Sequence, residues 1–319
     1  MRRRSLLALA ATLPLPALAQ PVRPWPERQL RLVVPFPPGG AIDAMARILA
    51  GPMGEALGQS VVVENRAGAG GTTGTGAAAQ ATDGHTLLMV SIAHAVNPAL
   101  YPRLPYAEAD FVPVGPVAVV PNILVVPAAR PWRSVAELVA EARRRPGTLT
   151  YASAGSGTSI HLAGALFGDL AGLGLEHVPY RGSAPAVTDL VAGRVDMMFD
   201  SVTSAGPHVA SGRLASLAVT TSQRIAAMPD LPSMAEAGVS GFAVDPWFAM
   251  LAPRALPAGA RAPLSALLSR LLADPAVAER LARIGAEPMT GDAASLAALL
   301  AEETARWGAF VRRAGIQPE

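Results

Sequence analysis

The sequence has no cysteine, no lysine, few charges and no long apolar run after its first twenty residues. Without cysteine the fold cannot rely on disulfide bonds. A charged fraction of 16% beside a hydrophobic fraction of 51% argues for a well-packed core and against disorder. The net charge of +2 falls to −1 once Arg2, Arg3 and Arg4 are set aside, since no acid lies within the first twenty residues. This near balance excludes nucleic acid as an expected partner.

The first twenty residues have the pattern of a secretory signal peptide. The basic start is followed by the apolar run Leu6–Leu13 and by Ala17-Leu18-Ala19, an Ala-x-Ala cleavage site. A membrane anchor is the alternative, but the run is far shorter than the roughly 20 residues that span a bilayer. Pro14 and Pro16 also interrupt it. We expect residues 1–20 to be removed after about Ala19 and the mature protein to be exported.

Residues Leu30 to Arg47 predict a strand, a loop poor in side chains and a helix. Leu32–Val34 has the apolar, β-branched character of a buried strand. Pro35-Phe36-Pro37-Pro38 cannot continue it, because proline has no amide hydrogen for the ladder. Gly39-Gly40 permits a tight turn, and the first amides of the helix that starts at Ala41 have no partner within the helix. Such an end attracts anions, although an ordinary βα turn would look the same.

A second unit of the same design follows later in the chain. Thr148–Ser153 predicts a strand, Ala154–Ser159 is again poor in side chains, and Ile160–Leu170 is an apolar helix. In open α/β sheets, ligands bind at the carboxyl ends of the strands. Neither loop is a phosphate loop or a dinucleotide fingerprint. We therefore expect two anion-binding loops.

The sequence offers no catalytic or metal-binding signature. Gly155-Ser156-Gly157 is not the Gly-x-Ser-x-Gly elbow of a serine hydrolase, and the histidines have no ligand spacing. Asp196 and Asp200 flank a strand without a specific pattern, and Asp43 and Arg47 are spaced for an i,i+4 ion pair. The expectation is a binding protein with no cofactor and no enzymatic activity.

Alternating strands and helices predict an α/β protein of two domains. Two extended stretches, Phe111–Val126 and Phe242–Leu251, are expected to cross between the domains and to let them close around a ligand. This assigns residues 21–122 and 244–319 to a discontinuous first domain and residues 123–243 to the second. We expect an irregular segment from His94 to Pro102 and a polar loop from Asp200 to Thr203.

Fragments along nearly the whole chain resemble the Bug-type solute-binding receptors of tripartite tricarboxylate transporters. No fragment is specific alone, but their order is. They include Val34-Pro-Phe-Pro-Pro-Gly-Gly, Val63-Glu-Asn-Arg, Tyr151-Ala-Ser-Ala-Gly-Ser-Gly-Thr, His177-Val-Pro-Tyr-Arg-Gly-Ser-Ala-Pro-Ala and Val195-Asp-x-Met-Phe-Asp.

The resemblance implies a type II periplasmic binding fold, with two α/β domains joined by two extended crossings around a ligand cleft. It also implies a small organic carboxylate as ligand, two integral-membrane transporter subunits as partners, and a monomer. On this basis we expect the ligand to be held by Phe36, Gly39, Gly40, Ala41, Ile42, Asp43, Ser91, Ser153, Gly155, Ser156, Gly157, Thr158, Ser159, Tyr180, Arg181, Gly182 and Asp200.

The sequence departs from the family at two positions and leaves two rival functions open. Ala165 stands where a glutamate is common, and Ile42 where a small or hydroxylated residue is usual. Ile42 faces either the cleft or the core. The rivals are a ligand sensor for a two-component system and a periplasmic hydrolase such as an esterase.

Overall fold

The structure, a computed structural model, describes residues 25–318. The predicted signal peptide, residues 1–20, lies outside the described residues. Within residues 25–318, no helix combines the length and the apolar character needed to cross a membrane.

The described residues form eleven strands and ten α-helices. The strands are β1 Leu30–Val34, β2 Val61–Asn65, β3 Thr86–Ser91, β4 Phe111–Val119, β5 Asn122–Pro127, β6 Thr150–Ser153, β7 Glu176–Pro179, β8 Met197–Ser201, β9 Leu214–Val219, β10 Trp247–Pro253 and β11 Glu287–Pro288. The helices are α1 Ala41–Leu57, α2 Thr72–Ala79, α3 Ala93–Leu100, α4 Val135–Arg144, α5 Ser159–Ala171, α6 Ser183–Val191, α7 Val202–Ala210, α8 Ala258–Leu272, α9 Pro275–Ala282 and α10 Ala293–Ala314.

The strands make two separate sheets, which define two lobes. The first lobe contains the sheet β11-β4-β10-β3-β1-β2, and the second contains the sheet β7-β6-β8-β5-β9. In each sheet three strands run parallel, as the alternating strands and helices predict. The returning strand β10 is antiparallel to both β3 and β4 and so ties the end of the chain into the first lobe. The residue-level domain bounds stay predictions.

Two short crossings connect the lobes side by side. The predicted stretch Phe111–Val126 is β4 and β5, which belong to different sheets and are separated at Val120 and Pro121. Proline lacks the amide hydrogen that either ladder needs, so the chain leaves one sheet here and enters the other. The Val120 amide donates a 3.0 Å hydrogen bond to the carbonyl of Pro246 in the return crossing.

Two local expectations were wrong. The segment from His94 to Pro102 is not irregular throughout, because it contains α3, which has Pro98 inside it and packs against α10. Tertiary packing of its buried residues outweighs the cost of the proline. Asp200 lies in the buried strand β8 rather than in a polar loop, and α7 begins directly after Ser201.

Gly74 provides a test of how closely α2 is packed against the loop that follows β1. A Cβ added there would lie 2.4 Å from the carbonyl oxygen of Arg66 and 2.7 Å from Cα of Pro35, both backbone atoms. We expect Gly74→Ala to lower the free energy of unfolding by about 1–3 kcal/mol, as overpacking does. Gly259, also helical, has open space around it, so Gly259→Ala should be neutral or stabilising by up to about 1 kcal/mol. Urea unfolding measures both, and equal stability of the two variants would contradict the packing argument.

Candidate functional site

A cavity of about 100 Å³, here called the cleft, lies between the two lobes. The first lobe contributes Phe36, Pro37, Pro38, Gly40, Ala41, Ile42, Ser91 and Phe248 to its walls. The second lobe, with the start of β5, contributes Asn122, Ala154, Thr158, Ser159, Ile160, Arg181, Gly182, Ser183, Ala184, Pro185 and Ser201. Both lobes therefore have to be in place to complete the site.

Four helices begin at this cleft. Their N-cap residues are Gly40 for α1, Thr158 for α5, Gly182 for α6 and Ser201 for α7, and all four line the cavity. Thr158 and Ser201 cap their own helices with side-chain oxygens, whereas the two glycines supply no side-chain cap. The amides that open α1 and α6 thus keep their hydrogen-bonding capacity for a ligand. Four positive helix ends at one point favour an anion.

The side chains of the cleft wall are mostly apolar or hydroxylated. Among the residues that line it there is no carboxylate and one cation, Arg181, which is exposed. Asn122 Nδ2 donates a 3.1 Å hydrogen bond to Ser159 Oγ and so links β5 to the start of α5. The wall combines backbone donors, hydroxyls and hydrocarbon without a nucleophile and base pair. This composition suits holding an acid more than transforming it.

The structure brings nine of the predicted ligand residues to the cleft and places the others around it. The nine are Phe36, Gly40, Ala41, Ile42, Ser91, Thr158, Ser159, Arg181 and Gly182. A groove next to the cleft is lined by Gly155, Ser156 and Tyr180. The remaining five, Gly39, Asp43, Ser153, Gly157 and Asp200, line neither cavity. Contact of any of them with a ligand stays a prediction.

Asp43 fixes the shape of the first loop from behind. Its carboxylate accepts hydrogen bonds from the Gly39 amide, from Arg47 and from Asn65 Nδ2, at 2.9–3.1 Å. Burial alone would raise the pKa of Asp43, but the hydrogen bonds from Arg47, Gly39 and Asn65 hold it below its usual value. The i,i+4 ion pair with Arg47 is present. Asp43 joins the turn, α1 and β2 into one unit that sets the position of the free amides.

The second loop is held by two stacked histidines. Gly157 N–H donates to His161 Nδ1 at 3.1 Å, and Ser153 Oγ hydrogen-bonds both the Gly155 amide and His177 Nε2. The two imidazole rings are parallel, with centroids 4.0 Å apart. Burial lowers the pKa of His161 to about 3 and that of His177 to about 4, so both rings are neutral at pH 7, and Nδ1 of His161 is an acceptor. The loop's conformation is therefore fixed by side chains that lie outside the cleft.

A Cβ on Gly157 would point towards the first lobe. Its φ is +79°, and a Cβ there would lie 2.9 Å from Leu100 Cδ2 on α3. Its amide is already bound to His161. The glycine serves the close approach of the two lobes.

Ile42 lines the cleft and is also part of the core of the first lobe. It is 4% exposed and packs in the same cluster as Met45 and Leu49. The two orientations left open by the sequence are compatible, because the cleft wall at this point is the end of the core. An apolar portion of a ligand would meet Ile42 there.

Pro37, Pro38 and Ala154 belong to the two loops that the sequence predicted to bind the anion. The sequence reasoning missed seven other residues of the cleft: Asn122, Ile160, Ser183, Ala184, Pro185, Ser201 and Phe248. Ser183 and Ser201 carried a usable signal, because each lies where a strand or loop gives way to a helix. Gly182 is the N-cap of α6, and the Ser183 hydroxyl donates to Asp200 instead of capping the helix. Asn122 and Phe248 gave no local signal, since they reach the cleft only through the crossings.

Among residues 25–318 no group of three or more histidine and acidic side chains is arranged to hold a metal ion. The fold and the cleft define a two-lobed binding protein whose site suits an anion. Residues 45–316 match the family described as tripartite tricarboxylate transporter family receptor, TctC.

Solved structures of similar proteins agree with this assignment. Rpa4515 of R. palustris, solved with adipate, is 38% identical and has a TM-score of 0.89, with 92% of this chain and 100% of that chain covered. The periplasmic binding protein BugD is 36% identical, with a TM-score of 0.84 and coverage of 92% and 100%. MatC of Rhodopseudomonas palustris, with bound malate, is 33% identical, with a TM-score of 0.84 and coverage of 90% and 100%.

The chain therefore belongs to the receptor family of the tripartite tricarboxylate transporters, as the resemblance predicted. This is a family of solute-binding receptors and not of enzymes, and it includes periplasmic binding proteins. The predicted type II binding fold is confirmed by the close structural matches.

His161 offers a direct test of how the second loop is held. His161→Leu leaves the buried Gly157 amide without an acceptor and should lower the free energy of unfolding by about 1–3 kcal/mol. His161→Asn retains an acceptor and should lose less of the free energy of unfolding.

Because the pKa of His161 is about 3 in the folded state and about 6.5 in the unfolded state, protonation favours the unfolded state. Wild-type stability should therefore fall as pH drops from 6.5 towards 3, more steeply than that of His161→Asn. Parallel pH profiles of the two proteins would contradict this assignment.

Proposed function

We propose that this receptor captures a small organic carboxylate in the cleft between its lobes and delivers it to the membrane subunits of a tripartite transporter. The observation that carries the proposal is the convergence of four helix N-termini on one cavity. A carboxylate oxygen is the acceptor that free helix amides bind best. Export through the signal peptide of residues 1–20 would bring the receptor to the periplasm, and family membership supports both the location and the transporter.

The available donors are sufficient for useful affinity. Micromolar binding corresponds to about −8 kcal/mol. A hydrogen bond to a charged group contributes roughly 1.5–3 kcal/mol, and a partly buried helix end contributes up to about 2 kcal/mol. Three or four amides of α1 and α6, helped by the helix ends, reach this value after the costs of association. The carboxylate needs no side-chain cation for this part of its binding.

The size of the cleft limits the ligand. A cavity of 150 Å³ accommodates benzene, so about 100 Å³ suits a compact acid. Phe36, Ile42 and Phe248 present hydrocarbon to the middle of such a molecule. A longer acid would extend past Pro37 and Gly182 into the neighbouring groove, which shares both residues with the cleft.

Arg181 favours a ligand with a second carboxylate. It is exposed at the cleft, and no hydrogen bond or ion pair of its side chain is present among the described residues. A dicarboxylate held at one end by helix amides can place its other end on this guanidinium. Two relatives were solved with dicarboxylic acids, adipate and malate. We infer a preference for dicarboxylates over monocarboxylates of equal length.

The ligand class is tested with a thermal-shift panel of mono-, di- and tricarboxylates, amino acids and aromatic acids, with sugars and inorganic cations as controls. We expect at least one organic acid to raise the melting temperature, because a ligand that binds only the folded state stabilises it by mass action. Stabilisation by sugars or cations alone would refute a carboxylate receptor.

The role of Arg181 is tested by charge removal. Arg181→Gln should weaken dicarboxylate binding by roughly fivefold, about 1 kcal/mol, because the ion pair is partly solvated. A monocarboxylate of the same length should be unaffected. Arg145→Gln removes the same charge from an exposed helix end in the same lobe, outside the cleft, and controls for net charge. Isothermal titration gives the dissociation constants. An equal loss of affinity for mono- and dicarboxylates would show that Arg181 does not bind a second carboxylate.

A further inference from the structure

Asp200 is a buried acid directly behind the wall of the cleft. It has no solvent exposure, and its Oδ1 accepts a 2.8 Å hydrogen bond from Ser183 Oγ. Its Oδ2 is also buried and has no hydrogen-bond partner. Ser183 lines the cleft and Asp200 does not. The Ser183 hydroxyl therefore connects the buried acid to the place where a carboxylate is expected.

The strand that carries Asp200 has two different faces. Side chains alternate along β8: Met197 and Phe199 pack in the cluster that includes α5, whereas Met198 packs with α6 and α7. Asp200 shares the face of Met198. The titratable groups of α5 and β6, such as His161 and Tyr151, are in contact with one another on the opposite face.

No positive charge is arranged to neutralise Asp200. The titratable group of α6 is Asp189, which is bound by Tyr180 and Arg194, and that of α7 is His208 in its last turn. β5 has no titratable side chain, and Arg181 precedes α6 at the cleft. Burial raises the pKa of Asp200 to about 7, against the opposing effect of hydrogen bonds from Ser183 and the Ser201 amide.

We propose that Asp200 is a positioning residue that holds a proton while a carboxylate occupies the cleft, so that Ser183 donates its own hydroxyl proton to the bound acid. This inference rests on the proposed function. A hydroxyl has one proton to donate. When Asp200 is ionised, its carboxylate accepts the hydrogen bond of the Ser183 hydroxyl, and Ser183 presents only lone pairs to the cleft. When Asp200 is protonated it donates to Ser183 Oγ, and the hydroxyl is free to turn towards the ligand.

The uptake of a proton on binding determines how the affinity for the acid changes with pH. A carboxylate in the cleft disfavours a second negative charge nearby and so raises the pKa of Asp200 further. Above pH 7, binding of one acid anion is accompanied by uptake of one proton from solvent onto Asp200. The dissociation constant should change by about twofold at most between pH 6 and 7 and should rise above pH 7, approaching tenfold per pH unit.

The experiment is isothermal titration from pH 6 to pH 9 with the most tightly bound acid of the panel, chosen among those with carboxyl pKa values near 4. Such an acid is ionised throughout this range. We expect Asp200→Asn, which has an amide N–H in place of the acid proton, to bind as wild type does at pH 6 and to show no pH dependence. Ser183→Ala removes the donor to the bound acid, so it should bind more weakly than wild type at pH 6 and show a smaller rise of the dissociation constant above pH 7, where only the repulsion between Asp200 and the ligand remains. Asp230→Asn removes an exposed charge of the same lobe and should retain the wild-type profile.

Proton uptake is measured in the same instrument by repeating the titration at pH 8 in two buffers of different ionisation enthalpy. Wild type should take up close to one proton per acid bound, and Asp200→Asn none. A wild-type protein without uptake, or an Asp200→Asn protein that retains it, would overturn the inference. So would an Asp200→Asn protein whose dissociation constant at pH 6 is tenfold or more above that of wild type. Thermal unfolding of each variant first checks that it is folded.

The outcome also separates this inference from the proposed function. If no acid of the panel binds, the carboxylate receptor itself is refuted. If acids bind with constants that do not change between pH 6 and 9, the receptor stands and only the role of Asp200 is wrong.

Discussion

The amides that open a helix have no partner within it, and the site of this protein is built on that constraint. Four helices start at one cavity, and two of them, α1 and α6, begin after glycines that cannot cap them with a side chain. A buried helix end without partners is unstable unless water or a ligand supplies the missing acceptors. The cleft therefore combines a structural need with a binding function, and a carboxylate can satisfy both.

Donors of this kind are useful only if the backbone that carries them is rigid. In the first lobe Asp43 joins Gly39, Arg47 and Asn65, and in the second His161 and Ser153 fix the amides of Gly157 and Gly155. None of these side chains lines the cleft. These side chains thus act on the loops, and the loops hold their backbone donors in fixed positions beside the hydroxyl and apolar groups of the cleft wall.

Asp200 can prepare a side-chain donor, the Ser183 hydroxyl, in addition to the backbone donors of the loops. An acid buried without a cation is costly as an anion and inexpensive as a neutral donor. Placed behind Ser183, it links the protonation of the protein interior to the charge of the cleft. The Ser183 hydroxyl is the group that contacts both Asp200 and the cleft.

The sequence by itself determined the two loops and the α/β class, because these depend on local chemistry, whereas the type II binding fold was predicted from the family resemblance. Proline after Leu32–Val34 ends a strand and glycine before Ala41 opens a helix, and a strand, a glycine-containing loop and a helix follow one another again around Ser153–Ser159. The tertiary structure decided which residues meet. Asn122 and Phe248 reach the cleft through crossings between lobes, while Gly157, predicted to contact the ligand, turns to Leu100 of the other lobe. Side-chain direction and long-range contact depend on how the sheets are arranged in space, and no local pattern encodes that.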